Sequence, residues 1–538
     1  MKHHFWPVVI LIIFALIGVK ALFHAGWYTS HDGEHQLVRQ YVFDRAVKAG
    51  HIPPRVDRQL LNGLGYPLFT FTYQMPFIIG EPLRWMGVAT QDTVKLVFVL
   101  AYIASGLTMY AFAQELWGKK AGLLAGGLYL WAPYRFSVMF VRASLGEHVA
   151  LAFVPLVLWS LNYKFLTRKR VVAGALSFAG LVLSHVMATQ IFLPVIILSG
   201  TSQLIRAKNK LLLATRYMLM AILALGLASY YLLPALIHRA DVQGLNRHFY
   251  AEHFVTLKQL VYSPWGYTFS QVGTANDGMS FQVGLAQWLV IGVALVALAV
   301  NFEFIAAALI LSFLVAMGMM LDASSGIWNS LVKNYWVVDI PWRFLAVAIF
   351  ASAALAGFVI TRLKSVVRIT VVVGLVILAV YNNRNYLRVN KYIDYPDSQL
   401  AAYRGTSNSY DEYQSVFVSQ ALLKRQNLPE AEVVSGSADI TVNRSAPDQL
   451  LVTVQAQTET QVQLNTIYFP GWTLTVDGQS QNIKSVLSDG VPRVKLGPGN
   501  YLIGLIYRQT PAMVVGNMIS LMTIGVLLIL WLKHPKLS

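Results

Sequence analysis

The first forty residues, MKHHFWPVVILIIFALIGVKALFHAGWYTSHDGEHQLVRQ (1–40), set two chemistries back to back. A basic start runs into an apolar stretch, and residues 27–40 then carry Asp32, Glu34, His31, His35 and Arg39. The first part resembles a signal peptide, but it lacks a small-x-small cleavage site, so the expectation is a retained signal-anchor span rather than a cleaved leader. Its direction of insertion decides which face of a membrane receives the ionisable cluster that follows.

The whole chain reads the same way as its start. Of 538 residues, 56% are hydrophobic and 12% charged, with mean hydropathy +0.53. That much apolar surface suits a polytopic membrane protein, and continuous apolar runs point to helices because backbone polar groups must be satisfied within each span. Twelve spans are expected, near 6–23, 93–113, 119–134, 148–164, 171–186, 188–205, 211–236, 284–300, 302–321, 343–360, 366–382 and 512–532. There are no cysteines, which excludes disulfides and thiolate metal sites.

Charge gives the orientation. One set of connections carries GKK, LTRKR, RAKNK and TRLKSVVR. With the termini these supply sixteen cations: Lys2, Lys119, Lys120, Lys164, Arg168, Lys169, Arg170, Arg206, Lys208, Lys210, Arg216, Arg362, Lys364, Arg368, Lys533 and Lys536. Glu115 and Glu303 oppose them. The positive-inside rule then places both termini in the cytoplasm. The net charge of +17 is thus largely a topology signal, and nucleic-acid binding is not expected. The long connections, 24–92, 135–147, 237–283, 322–342 and 383–511, fall outside.

The exported tail changes character. ADITVN, QLLVTVQAQ, TQVQLNTIYF, TLTVDGQ, PRVKLG and YLIGLIY alternate with strand periodicity, and Asp477-Gly478 and GPGN (497–500) mark turns. The expectation is a multi-span domain over 1–382 and an irregular connector over 383–429. An extracytoplasmic β-sandwich over 430–509 follows, and a last span over 510–538.

In the first outer loop the pattern predicts a helix from Thr29 to about Ala49, with Val38, Val42, Ala46 and Ala49 as its apolar stripe. Asp32, His35 and Arg39 recur at about one-turn intervals and share a face. A structural reading exists, since Thr29-Ser-His-Asp32 fits a capping box; it leaves His31, Glu34 and His35 unexplained. LNGLGYPLFTFTYQMPF (61–77) reads as an interfacial segment. Four more polar clusters fall on the same side: FVRASLGEHVAL with Arg142, Glu147 and His148, LSHVMATQ with His185, DIPWRFLA with Arg343, and HRADVQGLNRHFYAEH. Singly, each has an ordinary reading as a lipid-headgroup contact or a turn residue. Together they would ring one outward cavity.

The ordered motifs HDGEHQLVRQ, IPPRV, NGLGYPLFTF, VRASLGEHVA, LSH, PWRF and YFPGWTLTVDG resemble a family of bacterial 6-pyruvoyl-tetrahydropterin-synthase-related membrane proteins. These are similar to multi-span GT-C glycosyltransferases. The resemblance implies a GT-C-like fold in a bacterial inner membrane, a polyprenyl-phosphate-linked sugar as donor, an extracytoplasmic acceptor, and an acidic residue in the first outer loop. That position is Asp32, with Asp32-Gly33-Glu34 where related enzymes often have an Asp-x-Asp pair. Asp32 is then the expected general base, with Glu34 and His35 beside it. Arg142 and Arg343 are the first candidates for donor phosphate, and Arg39, Glu147, His148 and His185 would orient phosphate or sugar. Hard oxygen ligands at Asp32 and Glu34 could hold Mg²⁺, Mn²⁺ or Zn²⁺. The competing readings are a flippase of lipid-linked saccharide and a non-catalytic envelope-assembly protein. Transporters favour mid-membrane ionisable groups and repeats, whereas these groups cluster at span ends.

Overall fold

The computed structural model describes residues 4–244, 249–270, 277–333, 338–425 and 427–532. Lys2, Lys533 and Lys536 of the basic count, and Arg247 and His248 of the HRADVQGLNRHFYAEH segment, lie outside the described residues. Helices occupy all twelve apolar runs, from Phe5–Gly18 to Pro511–Leu532. Among the described residues five are long and apolar enough to cross a membrane: Thr90–Trp117, Val186–Arg206, Lys210–Asp241 (its last turn tightened), Pro341–Thr361 and Pro511–Leu532. Phe304–Met320 makes a sixth with Asp322–Val332, across a bend of 93°. Phe5–Gly18, Leu145–Ser160, Leu285–Val300 and Val367–Asn383 (within the helix Ser365–Asn383) are shorter apolar helices. This is a multi-pass helical membrane protein.

The helix Leu345–Thr361 is apolar all round, and nearly every residue in it is buried. Such a helix belongs inside a bundle, and it packs between its neighbours instead of facing lipid. The basic connections meet at one end. Arg170 pairs with Glu115 at 2.6 Å, Arg362 pairs with Glu303 at 3.0 Å, and Trp117 donates to Glu303. The two acids that oppose the basic excess therefore each hold an arginine there.

At the other end the long connection 24–92 forms the helix Gly33–Lys48. Val38, Val42 and Ala46 are buried as the stripe requires, but Ala49 is exposed because the helix has already ended. Buried Asp44 accepts from Arg84, whose guanidinium also reaches Asp397 at 2.8 Å. LNGLGYPLFTFTYQMPF is mostly buried; it packs under the tail domain and does not lie along a surface. The Tyr66 hydroxyl accepts from Asn408 Nδ2 and the Tyr413 N–H, and Arg58 donates to Thr466, Ser445 and the Gln449 carbonyl.

The tail domain has two antiparallel sheets. One runs Ala431–Ser435, Thr460–Leu464, Val491–Leu496, Leu487–Ser488. The other runs Ala438–Ala446, Gln449–Ala456, Gly499–Tyr507, Trp472–Val476, Gln479–Gln481. Leu450, Val452 and Val454 of one sheet share a core with Val462 and Leu464 of the other. Asp477 and Gly478 both have positive φ and close a two-residue hairpin, the geometry such pairs favour. Two details depart from the pattern. Ala431–Ser435 is a strand without strict alternation, and the strand begun at Thr460 stops at Leu464. Beyond it Ile467 N–H bonds to the Leu64 carbonyl, so tertiary contact with the connection 24–92 takes the place of the ladder.

Candidate functional site

Asp32 occupies the N-cap position of the helix Gly33–Lys48, yet its side chain makes no capping bond. The capping box drawn from Thr29 does not form. The backbone is held from elsewhere: His31 N–H donates to the Val141 carbonyl at 3.0 Å and Asp32 N–H to the Arg142 carbonyl at 2.9 Å. Gly33 has no room for more than hydrogen, since a Cβ would lie 2.5 Å from Trp27 Nε1 and 2.2 Å from Ser30 Oγ. Trp27 and Tyr28 are buried and pair with Ile393 and Tyr392, and Tyr28 O–H bonds to the Met139 carbonyl. On the facing segment, Ser137–Arg142 is a π-turn, followed by buried Ala143 in the left-handed region at φ 50°. Sparsely populated backbone of this kind persists only where its surroundings fix it, and it concentrates at functional sites.

That turn delivers Arg142, whose Nη1 lies 2.6 Å from Glu147 Oε2 and 3.1 Å from Tyr134 O–H. Tyr134 O–H itself donates to Glu147 Oε1 at 2.6 Å. Arg343 reaches the same Glu147 oxygen at 3.4 Å and makes a two-pronged contact with Asp339, at 2.7 and 3.3 Å. Both guanidiniums lie near the Trp342 ring, at 4.8 and 5.6 Å from its centre. Glu147 is therefore the shared anchor of two arginines, and Gly146 lets its helix pack closely against Ser184 and Tyr73. A Cβ at Gly146 would sit 2.6 Å from the Ser184 carbonyl and 2.4 Å from Tyr73.

Asp32, His31, His35, Gln36 and Arg39 line a cavity of about 310 Å³ together with Tyr73, Arg142, Ser144, His185, Asp339, Trp342 and Arg343. The connector closes it with Asn408, Ser409, Tyr410, Glu412 and Tyr413. Arg39 donates to the Ser407 carbonyl and to Asn408 Oδ1, each at 2.6 Å, and has no ion pair among the described residues. The Asp32 carboxylate has neither hydrogen bond nor ion pair among the described residues. Its charge is nonetheless felt by His31, His35, Arg39 and Arg142. Burial, reinforced by Arg39, lowers His35 to about 4, and burial also lowers His31. Both imidazoles are neutral at pH 7. His31 stacks on Phe269 with ring centres 4.3 Å apart.

Not every candidate from the sequence reaches this cavity. Glu34 is exposed and does not line it, since two residues along a helix turn a side chain to the opposite face. The Asp32–Glu34 metal pair therefore does not form, and the described residues contain no cluster of three or more His, Asp or Glu fit for a cation. His148 is fully buried beside Phe98 and Tyr102, with Nε2 3.1 Å from the Phe98 carbonyl, and it is a core residue. His185 does line the cavity, but its Nδ1 also accepts the Ala188 N–H as the cap of the next helix. Glu147 contacts the site only through the arginines. Sequence reasoning missed Tyr134, Tyr73 and the connector residues. It also passed over Asp339, for which a signal was present, four residues before Arg343 in DIPWRF.

No protein-family model matches the chain. A protein of Lactococcus lactis subsp. cremoris (strain MG1363), described only as uncharacterized, is 24% identical over 245 residues, 44% of this chain and 40% of that protein. Among solved structures, the arabinofuranosyltransferase AftD from Mycobacteria superposes with TM-score 0.46 and 14% identity, over 72% of this chain and 27% of that one. The oligosaccharyltransferase AglB from Archaeoglobus fulgidus, in complex with an inhibitory peptide and a dolichol-phosphate, gives 0.40 and 13%, over 76% and 57%. ArnT from Cupriavidus metallidurans gives 0.39 and 14%, over 70% and 63%. The chain thus spans 40% of the bacterial relative and 27% to 63% of these solved chains. Likeness this distant leaves the chemistry to be argued from the cavity itself.

Proposed function

We propose that the chain is a GT-C-type glycosyltransferase of a bacterial inner membrane, with about twelve spans, both termini in the cytoplasm and the Asp32 cavity facing outward. The donor is a sugar linked to polyprenyl phosphate, and the acceptor is an extracytoplasmic hydroxyl. The observation that carries this reading is the Asp32 carboxylate. It has no hydrogen bond or ion pair among the described residues, yet its backbone is bonded to that of Arg142 inside a cavity that Arg343 also lines.

In the reaction the acceptor oxygen attacks the anomeric carbon and its proton passes to Asp32. The bond from that carbon to the phosphate oxygen breaks, and the electron pair leaves with polyprenyl phosphate. A positioned base contributes about 10²–10⁴-fold. The donor is a phosphodiester with one negative charge, and the leaving group gains a second. Arg142 and Arg343, already neutralised in part by Glu147 and Asp339, matter most at that moment, because fixed donors stabilise charge as it develops. Arg39, bound only to neutral acceptors, adds a third cation. Neutral His35 serves as a hydrogen-bonding wall, and His185 lines the cavity with it. A flippase is disfavoured because the ionisable groups gather at one end of the helices.

The test is incubation of the purified chain with a panel of polyprenyl-phosphate sugars. Release of lipid phosphate that depends on an added acceptor supports the reading. Movement of intact lipid-linked sugar across vesicles without any release would replace it with transport.

A further inference from the structure

A second feature lies at the opposite end of the helices from the Asp32 cavity. The helices Phe5–Gly18, Lys119–Leu130 and Ser365–Asn383 enclose an apolar groove of about 390 Å³, floored by Leu124 and Ile360. Gly127 widens its wall, and Phe14, stacked on Trp131 with ring centres 4.7 Å apart, lines it deeper in the bundle. At its mouth stand Lys120, Arg368 and Ser365. Neither cation has an ion pair among the described residues, in contrast to Arg170 and Arg362 at the same end. Arg368 gives one Nη to the Leu363 carbonyl, while its Nε is enclosed without a partner.

An apolar slot with two uncompensated cations at one end has the chemistry of a lipid with an anionic head. From Arg368 to Val376 the groove follows the helix for about 12 Å. One leaflet's hydrocarbon is about 15 Å deep. We propose that this groove holds one anionic phospholipid of the leaflet opposite the catalytic cavity. Its phosphate bridges Lys120 and Arg368, and one acyl chain lies along Leu124, Gly127 and Val376. Basic pockets between helices select acidic headgroups in this way. The Lys and Arg of these connections thus fix more than topology: two of them belong to a site.

The experiment needs no transferase activity, so its outcome is independent of the donor reading. Delipidated full-length protein in detergent is titrated with dioleoyl-phosphatidylglycerol or dioleoyl-phosphatidylcholine, and bound lipids are counted by native mass spectrometry. One phosphatidylglycerol should be held about tenfold or more tightly than phosphatidylcholine, a preference that weakens as salt rises. The double variant Lys120→Gln/Arg368→Gln should bind the two lipids alike. Val373→Trp, which fills the slot from its exposed side, should lose both. Lys208→Gln/Lys210→Gln, at the same end but outside the groove, should behave as wild type. Equal retention of the two lipids by the wild-type chain would overturn the proposal, whether or not the double variant folds. So would a stable dimer that Val373→Trp abolishes with no lipid bound, since that would give the groove to a second copy.

Discussion

Replacing Asp32 by asparagine separates chemistry from architecture unusually well. The two side chains are nearly isosteric, and the carboxylate makes no capping bond whose loss would weaken the helix Gly33–Lys48. Asparagine is in any case a good residue at that position. The backbone bonds from His31 and Asp32 to Val141 and Arg142 are untouched. Thermal stability should therefore stay within about 0.5 kcal/mol of wild type. Turnover should fall by about 10²–10⁴-fold, equivalent to ~2.7–5.5 kcal/mol in the barrier. Donor affinity should hold or improve, because an anion has been removed from beside a phosphate. The assay is single-turnover release of polyprenyl phosphate, with donor binding measured separately. A rate within a few-fold of wild type, or a loss of donor affinity in step with the rate, would remove Asp32 from the role of base.

Three further outcomes follow from the same geometry. Arg343→Lys keeps the charge but loses the two-pronged contact with Asp339, so turnover and donor binding should drop at least about tenfold. Arg362→Lys, at the half-exposed pair with Glu303, should be nearly silent, and equal tolerance at both positions would make Arg343 an anchor only. His35, lowered to about 4 in the folded chain against about 6.5 when unfolded, favours the folded state only while neutral. Its contribution is complete above pH ~6.5 and is lost as pH falls toward ~4, so the melting temperature of His35→Gln should decline less over that window than that of wild type. Finally, single cysteines at Ser30 and Ser437 of this cysteine-free chain should react with a membrane-impermeant thiol reagent once the outer barrier is permeabilised; labelling only after inner-membrane lysis would reverse the proposed orientation.

The local periodicities were readable without coordinates. Apolar runs located the helices, a period of two located most strands of the tail, and Asp477-Gly478 located its hairpin. Asp32, His35 and Arg39 share a face because helical spacing requires it, and the same spacing argues against Glu34, two residues on. His148 misled because it begins an apolar run next to Glu147; only the packing of Phe98 and Tyr102 shows that its ring is enclosed.

What the sequence determined by itself is what depends on neighbours within a few turns: helix or strand, the exposed or buried face, the basic ends of the spans. Only the tertiary structure decided which of many polar residues meet. Glu147 binds two arginines 5 and 196 residues away, Arg39 meets Asn408 across 369, and Tyr28 reaches Met139 across 111. Such pairings are set by how helices pack and by where loops return, and a single sequence carries no local signal for a contact whose two halves form in separate elements. The connector residues 407–413 are the plainest case. Their composition reads as irregular chain. They became a wall of the cavity because Trp27 and Tyr28 pair with Ile393 and Tyr392 at the start of the connector, while Arg39 of the helix Gly33–Lys48 and the Tyr66 hydroxyl hold its later part.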